Sequence, residues 1–148
     1  MAELVFWDIK EEKQNMKLED YFEKTKGISI LSTADRDGKL TTAIYSMPRV
    51  LEDNSIAFIM RERLMYHNLQ TNPHAAFMFI EESAGYQGIR LFLKKSREDN
   101  DPEVIAKMTR RSLTPEEDKQ KGPKHLVIFR AEMILPLIGA GESYVTNA

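Results

Sequence analysis

Six short apolar runs, each bounded by turn residues, limit what this chain can fold into more than any other feature. The runs are rich in β-branched and aromatic residues and have the length of strands rather than helices. They predict strands over residues 28–33, 40–50, 55–60, 74–80, 86–95 and 125–137. Sequential strands joined by short turns pair antiparallel, and closure into a barrel leaves few exposed edges. The sequence therefore predicts a mainly β fold with peripheral helices, built on a six-stranded antiparallel barrel.

Two turn residues refine this prediction for the second strand. Asp37-Gly38 lies between two strand-like runs, which is a strong hairpin pattern. Pro48 lies inside the predicted strand 40–50 and has no N–H group for a β-ladder. We therefore expect an edge or a bulge at that end of the strand.

Helices are predicted in the connections between strands. Apolar residues at helical spacing predict helices over residues 17–26 and 63–71, and Asn72-Pro73 ends the second of these. Asp101 and Thr114 each precede a proline, so that each is expected to cap a helix whose first residue is that proline. Residues 55–60 are apolar at both alternating positions, which predicts a strand that is buried on both faces.

Composition and charge exclude several classes of function. The chain has 148 residues, enough for one domain, with 21 basic and 23 acidic residues and a formal charge of −2. This balance lacks the positive surface that non-specific nucleic-acid binding requires, so no nucleic-acid partner is expected. The absence of Cys excludes disulfides and thiolate chemistry. We find no secretory leader and no apolar run of about 20 residues, and we expect a cytoplasmic protein without a membrane partner.

The common catalytic and metal-binding patterns are missing from the sequence. His67 has no His or acidic partner one helical turn away, so no metal site is expected. There is no Gly-x-Ser-x-Gly motif, no Gly-x-Gly-x-x-Gly motif and no P-loop. The acidic pairs, such as Glu81-Glu82, are typical of solvated positions, and the mixed charges of residues 94–124 indicate a solvated face.

One arginine cluster points to an anionic ligand. Arg49 ends the predicted second strand, and Arg61 and Arg63 lie between the third strand and its helix. A hairpin of these strands brings the three guanidinium groups close to one helix N-terminus, which is an arrangement that binds phosphate. The alternative is that the arginines pair with surface acids such as Glu52 or Glu62.

Residues 27–95 resemble the FMN-binding split-barrel family typified by pyridoxamine 5'-phosphate oxidase. Three features carry the resemblance: the hairpin turn that ends at Gly38, the motif His-Asn-Leu-Gln-Thr-Asn-Pro at residues 67–73, and Gly-Tyr-Gln-Gly at residues 85–88. The resemblance implies a split β-barrel of FMN-binding type. It also implies a homodimer that binds FMN between its subunits.

The family's cofactor site, carried over onto this sequence, is complete in some parts and altered in others. The strand segments that line the flavin correspond to Ala43, Ile44, Tyr45 and Ser46 and to Phe58, Ile59 and Met60. A glutamine donated across the dimer corresponds to Gln87. The family's phosphate-binding Arg and Lys residues correspond here to Ala43, Pro48, Leu64 and Met65. Arg49, Arg61 and Arg63 lie one to three residues away, and we expect them to supply the missing charge.

The resemblance also divides the chain and suggests its function. We expect a single domain over 1–148, with an N-terminal extension and helix (1–26), core strands and a cofactor half (27–95), a helical insertion (96–124), the last strand (125–137) and a tail (138–148). The expected function is that of a flavin-dependent oxidoreductase with an unidentified small-molecule substrate or electron donor. The chain lacks the oxidase's C-terminal Trp and Arg motif, so oxidation of pyridoxamine phosphate is not expected. The alternatives are a non-catalytic binder (an electron carrier, or a binder of haem, a deazaflavin or another small ligand) and a cofactor-free structural module.

Overall fold

A computed structural model describes residues 16–110 and 113–147 of the chain. The N-terminal extension and helix were predicted for residues 1–26, of which residues 1–15 lie outside the described ranges. The strands in the described ranges are β1 (Met16–Lys17), β2 (Gly27–Ala34), β3 (Leu40–Ile44), β4 (Arg49–Val50), β5 (Ile56–Arg61), β6 (His74–Glu81), β7 (Gly88–Asp99), β8 (Lys124–Pro136) and β9 (Val145–Thr146). The helices there are α1 (Leu18–Lys24), α2 (Leu64–Thr71), α3 (Pro102–Met108) and α4 (Pro115–Gln120).

The main sheet is antiparallel throughout and follows the order β3-β2-β6-β7-β8-β5-β4. The mainly β class and the antiparallel pairing predicted from the sequence are confirmed. The sheet has seven strands instead of six because the predicted strand 40–50 is divided into β3 and β4. β3 pairs with β2 at one edge of the sheet, and β4 pairs with β5 at the other edge.

The division of this strand also explains how the sheet curls. Tyr45 still donates its backbone N–H to Ser29 of β2 at 2.9 Å, whereas Arg49 is already in register with Ala57 of β5. Pro48, which lies between them, cannot donate to a ladder. Both edges of the sheet are therefore held by one short chain segment, which draws them together as in a barrel.

The core lies inside this curled sheet. Side chains alternate between the two faces of each strand, so that Ile56, Phe58 and Met60 of β5 point inward and are at most 2% exposed. Tyr21 of α1 packs edge-on against Phe79 of β6, with 5.6 Å between the ring centroids. The core thus joins the N-terminal helix to the sheet.

The outer face of β5 and β8 is covered by the helical insertion. Ala57, Leu126 and Ile128 on these strands form a second buried cluster with Ile105 of α3. The prediction that residues 55–60 are buried on both faces is confirmed. α3 therefore lies beside the outward-facing residues of β5, and this position matters for the site described below.

The ends of the helices follow the capping rules of the sequence. Asp101 accepts a hydrogen bond from the Glu103 N–H at 3.0 Å, and Thr114 accepts one from the Glu117 N–H at 3.2 Å. β1 pairs in parallel with β9, and no pattern in the sequence predicts this pairing. None of the helices in the described part of the chain is long and apolar enough to cross a membrane.

Candidate functional site: a cationic cleft between the sheet edge and α2

A cleft of about 680 Å³ opens on the outside of the barrel, where the chain crosses from β3 to β4. Its walls come from β3, the β3–β4 connection, the outward face of β5, the start of α2 and the segment that follows α3. The volume lies within the range that small-molecule and cofactor sites occupy. The lining residues are Thr41, Ala43, Ile44, Tyr45, Ser46, Met47, Arg49, Ala57, Ile59, Arg61, Arg63, Leu64, Met65, Met108, Thr109, Arg110, Leu113, Lys121 and Lys124.

Most of the residues predicted from the sequence lie together in this cleft. The ones that line it are Ala43, Ile44, Tyr45, Ser46, Arg49, Ile59, Arg61, Arg63, Leu64 and Met65. The side chains of Phe58 and Met60 lie in the core instead, because they alternate with the outward-facing Ile59. Gln87 lies in the exposed connection between β6 and β7 and does not line this cleft.

Sequence reasoning missed one whole wall of the cleft. Met108, Thr109, Arg110, Leu113 and Lys121 come from the helical insertion. They belong to the stretch 94–124, which mixes charges of both signs. Such a mixture is typical of a solvated face, and nothing in it marks a binding wall. Thr41 and Met47, by contrast, flank the predicted segment 43–46 and could have been found by extending it.

The cleft carries a strong excess of positive charge. The cationic lining residues are Arg49, Arg61, Arg63, Arg110, Lys121 and Lys124, and none of the lining residues in the described ranges is Asp or Glu. The whole chain has a formal charge of −2, so this excess is local. Cations that converge on one concave, partly dry surface attract anionic ligands.

Arg61 is held by protein partners. Its guanidinium donates to the Asp118 carboxylate at 2.7 Å, to the Asp118 carbonyl at 3.1 Å and to the Gly122 carbonyl. Lys124 lies 3.0 Å from the same carboxylate. Hydrogen bonds from Arg61 and Lys124 lower the pKa of Asp118 below its ordinary value. Arg61 therefore ties α4 to the end of β5 and has few donors left for a ligand.

Arg63 lies at the start of α2, at the end of the helix that presents backbone N–H groups. It is the N-cap residue, but its side chain makes no capping hydrogen bond, and the first turn of α2 contains no acidic residue. The first N–H groups of a helix have no partner within the helix. Because Arg63, Leu64 and Met65 line the cleft, these N–H groups and one guanidinium are placed at its wall.

The Asn-Leu-Gln-Thr-Asn-Pro motif sets the position of α2. Buried Asn68 donates its side-chain amide to the Thr33 hydroxyl of β2 at 3.1 Å. Asn72 donates its side-chain amide to the Asp35 carbonyl at 3.2 Å. These two bonds join the helix to the β2–β3 hairpin, and through it the N-terminus of α2 is held against the cleft.

Comparisons with known proteins identify the fold. No family model and no curated protein match the chain. Solved structures do match: an FMN-binding protein from Syntrophomonas wolfei subsp. wolfei has a TM-score of 0.68 and 20% identity, and the match covers 95% of this chain and 97% of that one. An F420 reductase has a TM-score of 0.63 and 17% identity over 80% of this chain and 96% of that one. A pyridoxamine 5'-phosphate oxidase-like protein from Lactobacillus delbrueckii has a TM-score of 0.59 and 14% identity, with coverage of 82% and 94%.

This chain has the FMN-binding split-barrel fold. The resemblance found in the sequence is thereby confirmed at the level of the fold. The positions that correspond to the family's phosphate ligands carry apolar residues in this split barrel. Ala43, Leu64 and Met65 line the cleft, and Pro48 is buried. The positive charge of the cleft comes from other positions.

Tyr45 adds a hydroxyl donor to the wall of the split-barrel cleft. Its ring packs edge-on against Phe58, with 5.9 Å between the centroids. Burial raises the pKa of Tyr45 to about 12, although the positive charge of Arg63 acts in the opposite direction. The hydroxyl is therefore protonated at neutral pH and can donate a hydrogen bond to a ligand.

Proposed function

We propose that the protein binds FMN in the split-barrel cleft and acts as a flavin-dependent oxidoreductase. The observation that supports this most is the excess of cations in the cleft, next to the N-terminus of α2. A helix N-terminus together with a guanidinium is a common phosphate site. One similar structure is described as an FMN-binding protein, which fits this chemistry.

Each wall of the cleft has a part in this proposal. Arg63 and the first N–H groups of α2 bind the phosphate. The apolar side chain of Ile59 offers a dry surface for a flavin ring, and Tyr45 offers a hydroxyl donor at its edge. FMN supplies hydride and electron transfer when bound, and the protein binds and orients it and limits the access of water.

We also propose that a second copy of the chain completes the site. The outer face of the sheet exposes a row of large apolar residues, with Ile44 77%, Phe92 41% and Met133 51% exposed. Phe92 and Met133 are direct cross-strand neighbours on β7 and β8. Exposed apolar patches of this kind mark interaction surfaces. Because Ile44 belongs both to this face and to the cleft, a copy bound here lies beside the cofactor site.

Gln87 has its proposed role in this dimer. Its connection between β6 and β7 starts from the same sheet that carries the exposed apolar row. We propose that it reaches the cleft of the second copy, as the family resemblance implies. The cytoplasmic location, and the absence of nucleic-acid and membrane partners, stay predictions from the sequence.

The second candidate is a binder of a deazaflavin on the same fold. The F420 reductase among the similar structures favours it. A cationic cleft accepts the phosphate groups of either cofactor, so the cleft alone does not choose between them. A non-catalytic electron carrier would use the same cleft without turning over a substrate.

The test is cofactor binding by the purified protein, read by its visible spectrum and by the mass of any compound that heat releases. We expect flavin bands and FMN, and Arg63→Ala should weaken FMN binding about 10- to 100-fold, because a charged hydrogen bond is lost. Arg36→Ala, which removes an exposed arginine on the β2–β3 turn outside the cleft, is the matched control. A protein that binds F420 and refuses FMN would support the second candidate. NAD(P)H consumption by the loaded protein separates an enzyme from a carrier.

A further inference from the structure

The cationic residues lie at two separate places along the cleft. Arg49 on β4 is in register with Ala57 on β5. Arg61, four residues further along β5, leads directly into α2. At about 3.3 Å per residue, these two positions on β5 are roughly 13 Å apart. The cleft therefore has an α2 end, which carries Arg63, and a β4 end, which carries Arg49.

Arg110 is held at the β4 end. Its guanidinium donates to the carbonyl groups of Met47 and Pro48, with 3.3 Å to the Pro48 oxygen. Both carbonyls belong to the short connection that leads into β4. Because these bonds anchor the side chain, Arg110 adds its charge beside Arg49 and away from the α2 end.

The two arginines of the β4 end lack a counter-charge. In residues 16–110 and 113–147, no Asp or Glu forms an ion pair with either of them. The Nε atom of Arg49 is buried and has no hydrogen-bond partner in the same ranges. Burial, and next the positive charge of Arg49, lower the pKa of Arg110. Two neighbouring cations and an unmatched buried donor are the arrangement that an anion would stabilise.

The stretch between the two ends is apolar. Ala57 and Ile59 of β5 lie there, and Met108 and Leu113 of the helical insertion also line the cleft. Because Arg110 is bonded to the connection that leads into β4, its guanidinium belongs to the β4 end and not to the end where Arg63 and α2 lie. The β4 end is thus open to a second anionic group.

We propose that Arg49 and Arg110 form a second anion subsite, which binds a small-molecule substrate through a carboxylate or phosphate group while FMN occupies the α2 end. This inference rests on the proposed function, since it assigns the α2 end to the cofactor's phosphate. A guanidinium recognises both kinds of oxyanion through paired N–H donors. The substrate class is therefore a small anionic molecule that lies beside the flavin.

The experiment is a calorimetric titration of the FMN-loaded protein with inorganic pyrophosphate at constant ionic strength. We expect Arg110→Met and Arg49→Met each to weaken pyrophosphate binding by about 10-fold or more, since each removes a charged hydrogen-bond donor. Arg110→Met should retain the FMN affinity of the unmodified protein. Arg36→Met removes one exposed charge on the β2–β3 turn, outside the cleft, and should change neither affinity. Arg49 lies on a strand and Arg110 follows a helix, so the two variants test the subsite independently.

Three results would overturn the second subsite: equal pyrophosphate binding by both variants and the unmodified protein, displacement of FMN by pyrophosphate, or a loss of FMN affinity in Arg110→Met. A protein that binds no FMN would refute the proposed function, and the titration is then made on the flavin-free chain. In that case, loss of pyrophosphate binding in Arg110→Met but not in Arg63→Met supports the subsite. Equal losses in both variants refute it.

Discussion

At the scale of single residues, three arginines of one short sequence region have different surroundings. Arg61 is bonded to Asp118 and Gly122, Arg63 is the N-cap residue of α2 but makes no capping bond, and in the described residues Arg49 has a buried donor without a partner. Their side chains are chemically identical, so the difference comes from the elements that pack around each one. An acidic residue on α4 makes Arg61 a structural group and leaves the other two for ligands.

The Asp118 carboxylate makes stability depend on pH. Its pKa is lowered in the folded state by Arg61 and Lys124, so its contribution is present at neutral pH and is lost as the pH falls through that lowered pKa. We expect Asp118→Asn to reduce the free energy of unfolding at pH 7 and to flatten its decrease between about pH 5 and pH 2. Urea unfolding at several pH values measures this.

The control for this prediction is Asp37→Asn, which removes a carboxylate on the exposed β2–β3 turn. It should change the free energy of unfolding at pH 7 by less than about 0.5 kcal/mol. An identical slope for Asp118→Asn and the unmodified protein would contradict the role given to the Asp118 ion pairs.

At the scale of elements, α2 depends on one buried polar contact. Asn68 is 6% exposed and donates to Thr33, whose hydroxyl in turn lies 3.3 Å from the Met65 sulfur. A polar contact in the core is costly to break, because the remaining partner stays buried without a hydrogen bond. It also sets where the first turn of α2 lies relative to the cleft.

We expect Asn68→Leu to lower the free energy of unfolding by about 1–3 kcal/mol, because the buried Thr33 hydroxyl loses its donor. FMN affinity should fall in the same variant, since the N-terminus of α2 is no longer held. His67→Leu changes the adjacent, exposed residue of the same helix and should alter stability by less than about 0.5 kcal/mol. Equal urea midpoints and FMN affinities for the two variants would argue against this anchor.

At the scale of the whole molecule, the curl of the sheet places the cationic cleft next to an exposed apolar face. Residues 40–50 hold both edges of the sheet, and Ile44 within them belongs to the cleft and to that face. Assembly and cofactor binding are therefore expected to depend on each other. A second copy that covers the apolar row also limits solvent access to the cleft.

We expect the protein to elute with twice the mass of one chain in size-exclusion chromatography with light scattering. Phe92→Glu should give a single-chain mass and weaker FMN binding, because a charge in an apolar interface is not compensated. Ala106→Glu introduces the same side chain at an exposed position of α3 and should leave the mass doubled. A Phe92→Glu protein that stays dimeric would show that copies do not meet through this face.

Local patterns predicted much of this protein from its sequence. Apolar patterns predicted the strands, and the apolar residues at both alternating positions of β5 predicted that it is buried on both faces. Asp101 and Thr114 were predicted to cap the helices that follow them, and they do. These features depend on residues that are only a few positions apart, so the order of residues alone is enough to predict them. The segment 43–46 was predicted as part of the site only because of the family resemblance, whereas Arg63 was predicted from its position between a strand and a helix start.

The partners of the arginines and the division of strand 40–50 could not be predicted, because they depend on contacts between residues far apart in the chain. The ion pair of Arg61 with Asp118 spans 57 positions, and the bonds of Arg110 to Met47 and Pro48 span more than 60. No periodicity or spacing encodes such partners. The division of strand 40–50 has the same origin, since it follows from which strands lie at the two edges of the sheet. The sequence thus determined the elements and the apolar faces, and the packing of those elements determined which cations are left for a ligand.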